Sequence, residues 1–196
     1  MGLLAGVPAG MSIRYPGGGG TMGDGPNLGY GSRLPLWLTV GIVLALIARI
    51  AAVWGELPGT MASHFGVRGQ ADAWMSKDGF FLFMAFVGGG TVALLFAMRP
   101  FLLRLPARWI NLPNREHWLA NDERRVEALR RLSWFVEWMA MATAALLAVA
   151  TELAVRANLT QSAFANGPFL FFLSLYFVFV IAALVLQFRA LAVPQP

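Results

Sequence analysis

His64 and Lys77 are the rarest chemically capable side chains in this chain: one of two histidines and the sole lysine among 196 residues. They lie in Leu57-Pro58-Gly59-Thr60-Met61-Ala62-Ser63-His64-Phe65-Gly66-Val67-Arg68-Gly69, which runs on to Asp72, Trp74 and Lys77. An imidazole, a carboxylate and an ammonium so close could move protons, ligate a metal or grip a ligand. Ser63 beside His64 is a poor nucleophile and base, because neighbours in an extended strand point to opposite faces. The other histidine, His117, falls on the far side of a hydrophobic span, and Glu116-His117 lacks zincin spacing. The chain has no cysteine, hence no disulfide, thiolate nucleophile or cysteine metal site. No glycine-rich loop carries a P-loop lysine. These residues therefore predict a protein that is no enzyme and takes no metal or cofactor.

Recognition is the chemistry left to the segment. Pro58 restricts the backbone, Gly66 and Gly69 supply turn conformations, and Phe65 and Trp74 are apolar anchors. Met61–Phe65 and Gln70–Trp74 are expected to pair as a small hairpin around Gly66-Val67-Arg68-Gly69. The candidate ligand-binding residues are Leu57, Pro58, His64, Phe65, Gly69, Asp72, Trp74 and Lys77. The competing reading is that Leu57, Phe65 and Trp74 plug the loop onto the membrane, with Trp74 in the interfacial aromatic belt.

The elements that would position this loop are greasy. The chain is 58% hydrophobic and 13% charged, against about 45–50% and about 25% in soluble domains. Four runs, 36–54, 79–98, 133–155 and 168–188, are long enough to cross a hydrocarbon core that takes about 20 helical residues. Inside lipid the backbone must satisfy itself, so continuous apolar runs read as helix. The expected fold is all-α: an integral membrane bundle of four transmembrane helices, residues 35–190. The Gly- and Pro-rich stretch 1–34 reads as a flexible tail, and 191–196 as a short C-terminal one.

Basic residues orient the bundle. Arg99, Arg104, Arg108, Arg115, Arg124, Arg125, Arg130 and Arg131 lie between the second and third spans, with Arg14, Arg33 and Arg189 in the flanks. The two remaining loops hold only Arg68, Lys77 and Arg156. By the positive-inside rule both termini and the arginine segment are cytoplasmic, and the His64 loop faces outward. This arrangement accounts for a net charge of +5 without nucleic acid as a partner. Asn121 or Asp122 can cap a helix from Glu123, with Val126, Leu129 and Leu132 on one face. The segment is expected to be a cytoplasmic amphipathic helix at the interface, or else an extension of the third span. Arg115, Trp118, Arg124, Arg125, Arg130 and Arg131 are its candidate contacts to anionic lipid or a protein partner.

Two charges fall within the spans, Arg49 and Glu152, each roughly 5–8 Å from the outer end at 1.5 Å per residue. Each continues a line of small residues: Gly41 and Ala45 before Arg49, Ala144 and Ala148 before Glu152. Such lines favour close helix approach, so an Arg49–Glu152 ion pair joining the first and third spans is expected. Alternatively Arg49 snorkels to the headgroups and Glu152 meets Arg156 one turn on. In the second span Ala85, Gly89, Ala93 and Ala97 form a similar line, read as close packing. Glu137, near the inner end of the third span, reads as a local partner for the arginine segment. The phenylalanine-rich fourth span reads as facing lipid.

Leu57-Pro58, His64-Phe65, Gly69, Asp72 and Lys77 together resemble the domain of unknown function at the start of bacterial Sdp-type immunity proteins. Ala62 stands where that family usually has a second proline. Asn111-Leu112-Pro113-Asn114-Arg115-Glu116-His117-Trp118-Leu119 is similar to the segment that follows it, so the resemblance spans roughly 36–132. It implies a protein of the bacterial inner membrane that guards its cell against a secreted peptide. The outer loop would recognise and the cytoplasmic face would report. A small accessory or assembly subunit of a larger membrane complex is the alternative.

Overall fold

The computed structural model describes residues 32–192; the Gly- and Pro-rich stretch lies almost wholly outside the described residues, as does most of the C-terminal tail. Four helical stretches are long and apolar enough to cross a membrane. The first is α1 (Leu34–Val53), opened by Pro35 in its first turn, where a missing N–H is harmless. The second joins α2 (Lys77–Met84) to α3 (Gly90–Leu103) through a π-helical turn, Ala85–Gly89. A single turn, α4 (Arg115–Trp118), precedes the third stretch, α5 (Asp122–Thr160). The fourth is α6 (Asn166–Ala190).

The expectation of an all-α chain needs one correction. Between α1 and α2 stands an antiparallel pair, β1 (Thr60–Phe65) and β2 (Ala71–Ser76), the hairpin that the Pro and Gly spacing predicts. A second correction concerns the amphipathic helix, which is not a separate element. Asn121 caps α5, its side chain accepting from the Arg124 N–H at 2.9 Å, and the helix then runs 39 residues without a break. No Gly or Pro lies between 122 and 160 to interrupt it. At 1.5 Å per residue α5 is about 58 Å long, nearly twice the roughly 30 Å of a hydrocarbon core. Leu129 is buried but Val126 is 58% exposed, so they share no buried face.

α5 is the hub: α1, α3 and α6 each pack on it more extensively than on one another. The helix faces at those contacts differ from the expected ones. Gly41 and Ala45 of α1 are exposed, and so are Ala85, Gly89, Ala93 and Ala97. It is Gly88 whose added Cβ would touch Leu147 of α5, at 3.7 Å. The π turn inserts an extra residue into the helical period and so rotates the face that follows it. No residue of α6 is buried, and Phe171, Phe172, Phe177 and Phe188 are exposed; on the packed side Tyr176 and Thr143 meet at 3.3 Å and the Phe179 ring lies 6.4 Å from that of Trp138 in α5.

Candidate functional site

The hairpin is built from the inside outwards. Met61 is fully buried, and with Val53, Leu57, Phe80, Ala154 and Val155 it forms an apolar cluster joining α1, β1, α2 and α5. Phe65 and Met75 pack against it. At roughly 25 cal/mol per Å² of apolar area removed from water, burial of this underside holds the hairpin on the helices. One polar residue then fixes the register. Asn158 of α5, itself buried, accepts from Ala62 N–H at 2.6 Å and donates to Ala62 O at 3.1 Å and to Ala154 O at 2.9 Å. The strand pairing shifts register beside this residue, between Ala62 and His64, so the bulge lies where the helix takes over backbone bonding.

The tip is held separately. Gly66 N–H donates to Gln70 O and Gly69 N–H to Gly66 O, both at 2.8 Å. Gly69 has φ +80, and Phe164 N–H, in the α5–α6 loop, donates to its carbonyl at 2.8 Å. Asn166 Nδ2 donates to Val67 O at 2.7 Å, and the Phe65 and Phe164 rings lie 5.1 Å apart. Lys77 closes the base: its N–H donates to Gly59 O at 2.8 Å, while Nζ donates to Trp54 O at 3.0 Å and sits 4.5 Å over the Trp54 ring.

The eight candidate residues thus divide. Leu57, Phe65, Gly69 and Lys77 are committed to the scaffold, and Pro58 is half-buried at the approach to β1. His64, Asp72 and Trp74 remain exposed, with Trp74 showing 59% of its surface. His64 Nδ1 and Asp72 Oδ1 lie 2.5 Å apart. An exposed pair of this kind adds at most about 1 kcal/mol to stability; its effect is to orient the imidazole. The tip adds Val67, 97% exposed, and exposed Arg68.

Residues 40–88 match a domain of unknown function, DUF1648. The match begins in α1, takes in the whole hairpin and ends within the π turn. It therefore covers the motif residues from Leu57 to Lys77 and stops well short of 132. No curated protein and no solved structure matches the chain. Asn158 and Phe164, which lie outside the matched residues, bond to the hairpin within them. Sequence reading passed over both, because Asn158 lies past the expected third span among Arg156, Thr160 and Gln161 and carries no local signal.

Beneath the hairpin, Glu152 brings together both partners expected for it. Its Oε1 accepts from Arg49 Nε at 3.3 Å and from Arg156 Nε at 2.6 Å. The ion pair between α1 and α5 forms, though the small-residue line expected to guide it on α1 faces outward. Because one carboxylate serves two arginines, Glu152→Gln should lower thermal stability more than Arg49→Gln or Arg156→Gln alone. Parallel melting curves in one detergent check this; a larger loss from either arginine variant would contradict it.

The arginine-rich end is mostly a lock on α6. Trp118 Nε1 and Asn114 Nδ2 donate to Leu191 O at 2.9 and 3.0 Å, and Arg131 Nη1 donates to Ala190 O. Donors and a cation at the last carbonyls are what a helix C-terminus needs. Arg131 also stacks over Trp118, 5.1 Å from the ring. Arg115 donates to Ile110 O and Ala107 O, both at 3.1 Å, and Arg125 to Leu105 O at 2.6 Å. Of the six candidate contact residues, Arg115, Trp118, Arg125 and Arg131 are therefore bound into the fold; Arg124 is half-buried and Arg130 exposed. Burial pushes the Glu127 carboxyl up, but hydrogen bonds from Arg131 and Arg130 and their charges outweigh this and hold it below its ordinary value. Its stabilisation is present at neutral pH and lost as pH falls through that lowered value. Among the described residues no three His, Asp or Glu side chains gather as a metal site.

Proposed function

We propose that this chain is a non-enzymatic integral membrane protein of the bacterial cytoplasmic membrane, with both termini inside and the β1–β2 hairpin outside. Its role would be to recognise a peptide or other ligand, as Sdp-type immunity and signalling proteins do. The observation that carries this reading is the division of the hairpin. A buried underside and backbone bonds from α5 and the α5–α6 loop hold it rigid, while His64, Asp72 and Trp74 stay exposed. Pre-ordered loops with an aromatic anchor lose little entropy on binding. The concentration of arginine at the other end supports the orientation.

A cell-protection assay with secreted peptide toxins tests the reading. Expression of the wild type should confer protection, and Trp74→Ala or His64→Ala should weaken it about tenfold, the effect of roughly 1.4 kcal/mol. Equal sensitivity with and without the protein would sink immunity against the peptides used. The absence of cysteine makes orientation easy to check: Val67→Cys should react with a membrane-impermeant maleimide on intact cells, and Arg108→Cys should not. The alternative, an accessory subunit, draws on the unpartnered faces of α6 and of Gly89, Ala93 and Ala97. A stoichiometric membrane partner on purification would favour it.

A further inference from the structure

The two strands of the hairpin have unlike outer edges. Thr60, Met61 and Ala62 stand opposite Ser76, Met75 and Trp74, and Lys77 N–H donates to Gly59 O at 2.8 Å in the same register. In an antiparallel ladder, opposed residues alternate between bonding each other and turning their peptide groups outward. Gly59 and Lys77 are a bonded pair, so Met61 and Met75 are the next. Ala62 and Trp74, between bonded pairs, both present N–H and C=O to the outer edges. On the β1 side Asn158 takes up both of these groups of Ala62.

The β2 side has no such clamp. β2 pairs with β1 alone, and among the described residues neither Trp74 N–H nor Trp74 C=O has a hydrogen-bond partner. Ser76, two residues on, turns its N–H the same way. Its carbonyl is spent on the first turn of α2, which Ser76 caps. The edge thus offers the N–H groups of Trp74 and Ser76 and the carbonyl of Trp74. Asp72, Ala73, Trp74 and Ser76 are all exposed. Proteins commonly blunt a free edge with charge or proline, and Ala73-Trp74-Met75-Ser76 contains neither.

The length of the edge selects its occupant. α2 begins at Lys77, and the ladder shifts register between Ala73 and Ala71, so the usable edge is short. A second copy would bring its own α2 with its β2, since no residue separates the two elements. A single extended segment meets no such obstacle. Strand addition takes its affinity from main-chain hydrogen bonds and its specificity from side chains beside the edge; here Trp74 is the side chain placed to supply it.

We propose that the free edge of β2 binds an extended peptide as a third strand, bonded to Trp74 N–H, Trp74 C=O and Ser76 N–H. This rests on the reading of the hairpin as a recognition site and names the form of its ligand, an unfolded peptide segment that offers its backbone.

The probe is a displayed library of random linear peptides, selected on the purified full chain in lipid nanodiscs. The tightest binder is then resynthesised with each backbone N–H methylated in turn. Because N–H groups alternate in direction along a strand, methylation at one residue should weaken binding about fivefold or more, the scale of one hydrogen bond, and be tolerated at both its neighbours. On the protein, Trp74→Ala should weaken binding through loss of the ring. Trp74→Pro should weaken it at least about fivefold further, since only proline removes the N–H. Proline is tolerated where an edge N–H faces outward, so the two variants should melt alike; if Trp74→Pro does not fold, the methylation scan still decides. A flat scan, equal loss at adjacent residues, or Trp74→Pro binding as well as Trp74→Ala would overturn strand addition and leave recognition by the exposed side chains standing. Failure to select any peptide would overturn peptide recognition as a whole. A ligand-free dimer that Trp74→Pro dissociates would put a second copy on the edge and overturn the proposal too.

Discussion

Asn158→Leu is expected to release the hairpin from α5 and to lower stability by about 2–6 kcal/mol, taking about 1–3 kcal/mol for each buried backbone group left unpaired. Asn158 is 5% exposed, and its side chain serves both the N–H and the C=O of Ala62. Leucine fills a similar volume, so the loss comes from the stranded peptide group and not from a cavity. Hydrogen exchange should show it locally, as lost protection at Ala62 and its neighbours, with a lowered melting temperature in detergent. Unaltered protection at Ala62 would mean that its peptide group finds another partner, and the pinning role assigned to Asn158 would be wrong. Because Asn158 lies under the strand that carries His64, the protection proposed for the wild type should weaken along with stability.

Gly69→Val should undock the tip. The φ of +80 at Gly69 is a conformation that β-branched residues hardly adopt, and holding one there costs about 1–3 kcal/mol. Sterics add to this, since a Cβ would come within 2.5 Å of Phe164 O. Either the turn or the α5–α6 loop must move, and the Phe164 N–H bond to Gly69 O breaks. The expected result is protease cleavage near Val67-Arg68 that the wild type resists, with the membrane helices intact. A tip that stays resistant would show that the α5–α6 loop yields at little cost. Comparison with Asn158→Leu separates the tip from the base of the hairpin.

Much of the architecture was legible because it is encoded locally. The first and fourth spans lie within about two residues of the ends that hydropathy predicts, α1 running 34–53 against an expected 36–54 and α6 running 166–190 against 168–188, whereas α5 begins at 122 against an expected 133. The hairpin could be read from Pro58, Gly66 and Gly69, since turn residues act over short range. Glu152 was found as a charge in an apolar run, and both of its expected partners are present together.

What escaped the sequence is what joins distant segments. Asn158 bonds a residue 96 positions away, and Trp118 bonds one 73 positions away; neither pairing has a local signature. The arginines suggested a surface for lipid or partners, yet Arg115, Arg125 and Arg131 turn to backbone carbonyls that no counting of charge reveals. The small-residue lines were visible on α1 and in the second span, but a line of small residues does not say which neighbour it meets. The π turn at Ala85–Gly89 altered that phase further, bringing Gly88 to α5 and leaving Gly89 outside.

Sequence alone therefore determined that this is a chain of four membrane-length helices with one turn-bounded loop. Apolar length and turn chemistry act within a segment, and a backbone in lipid has no choice but to bond to itself. Only the tertiary structure decided which face of each helix meets α5, which loop residues are spent on the scaffold, and that His64, Asp72 and Trp74 are left exposed. Those outcomes depend on side chains meeting backbone across the fold, where proximity is set by packing and not by position along the chain.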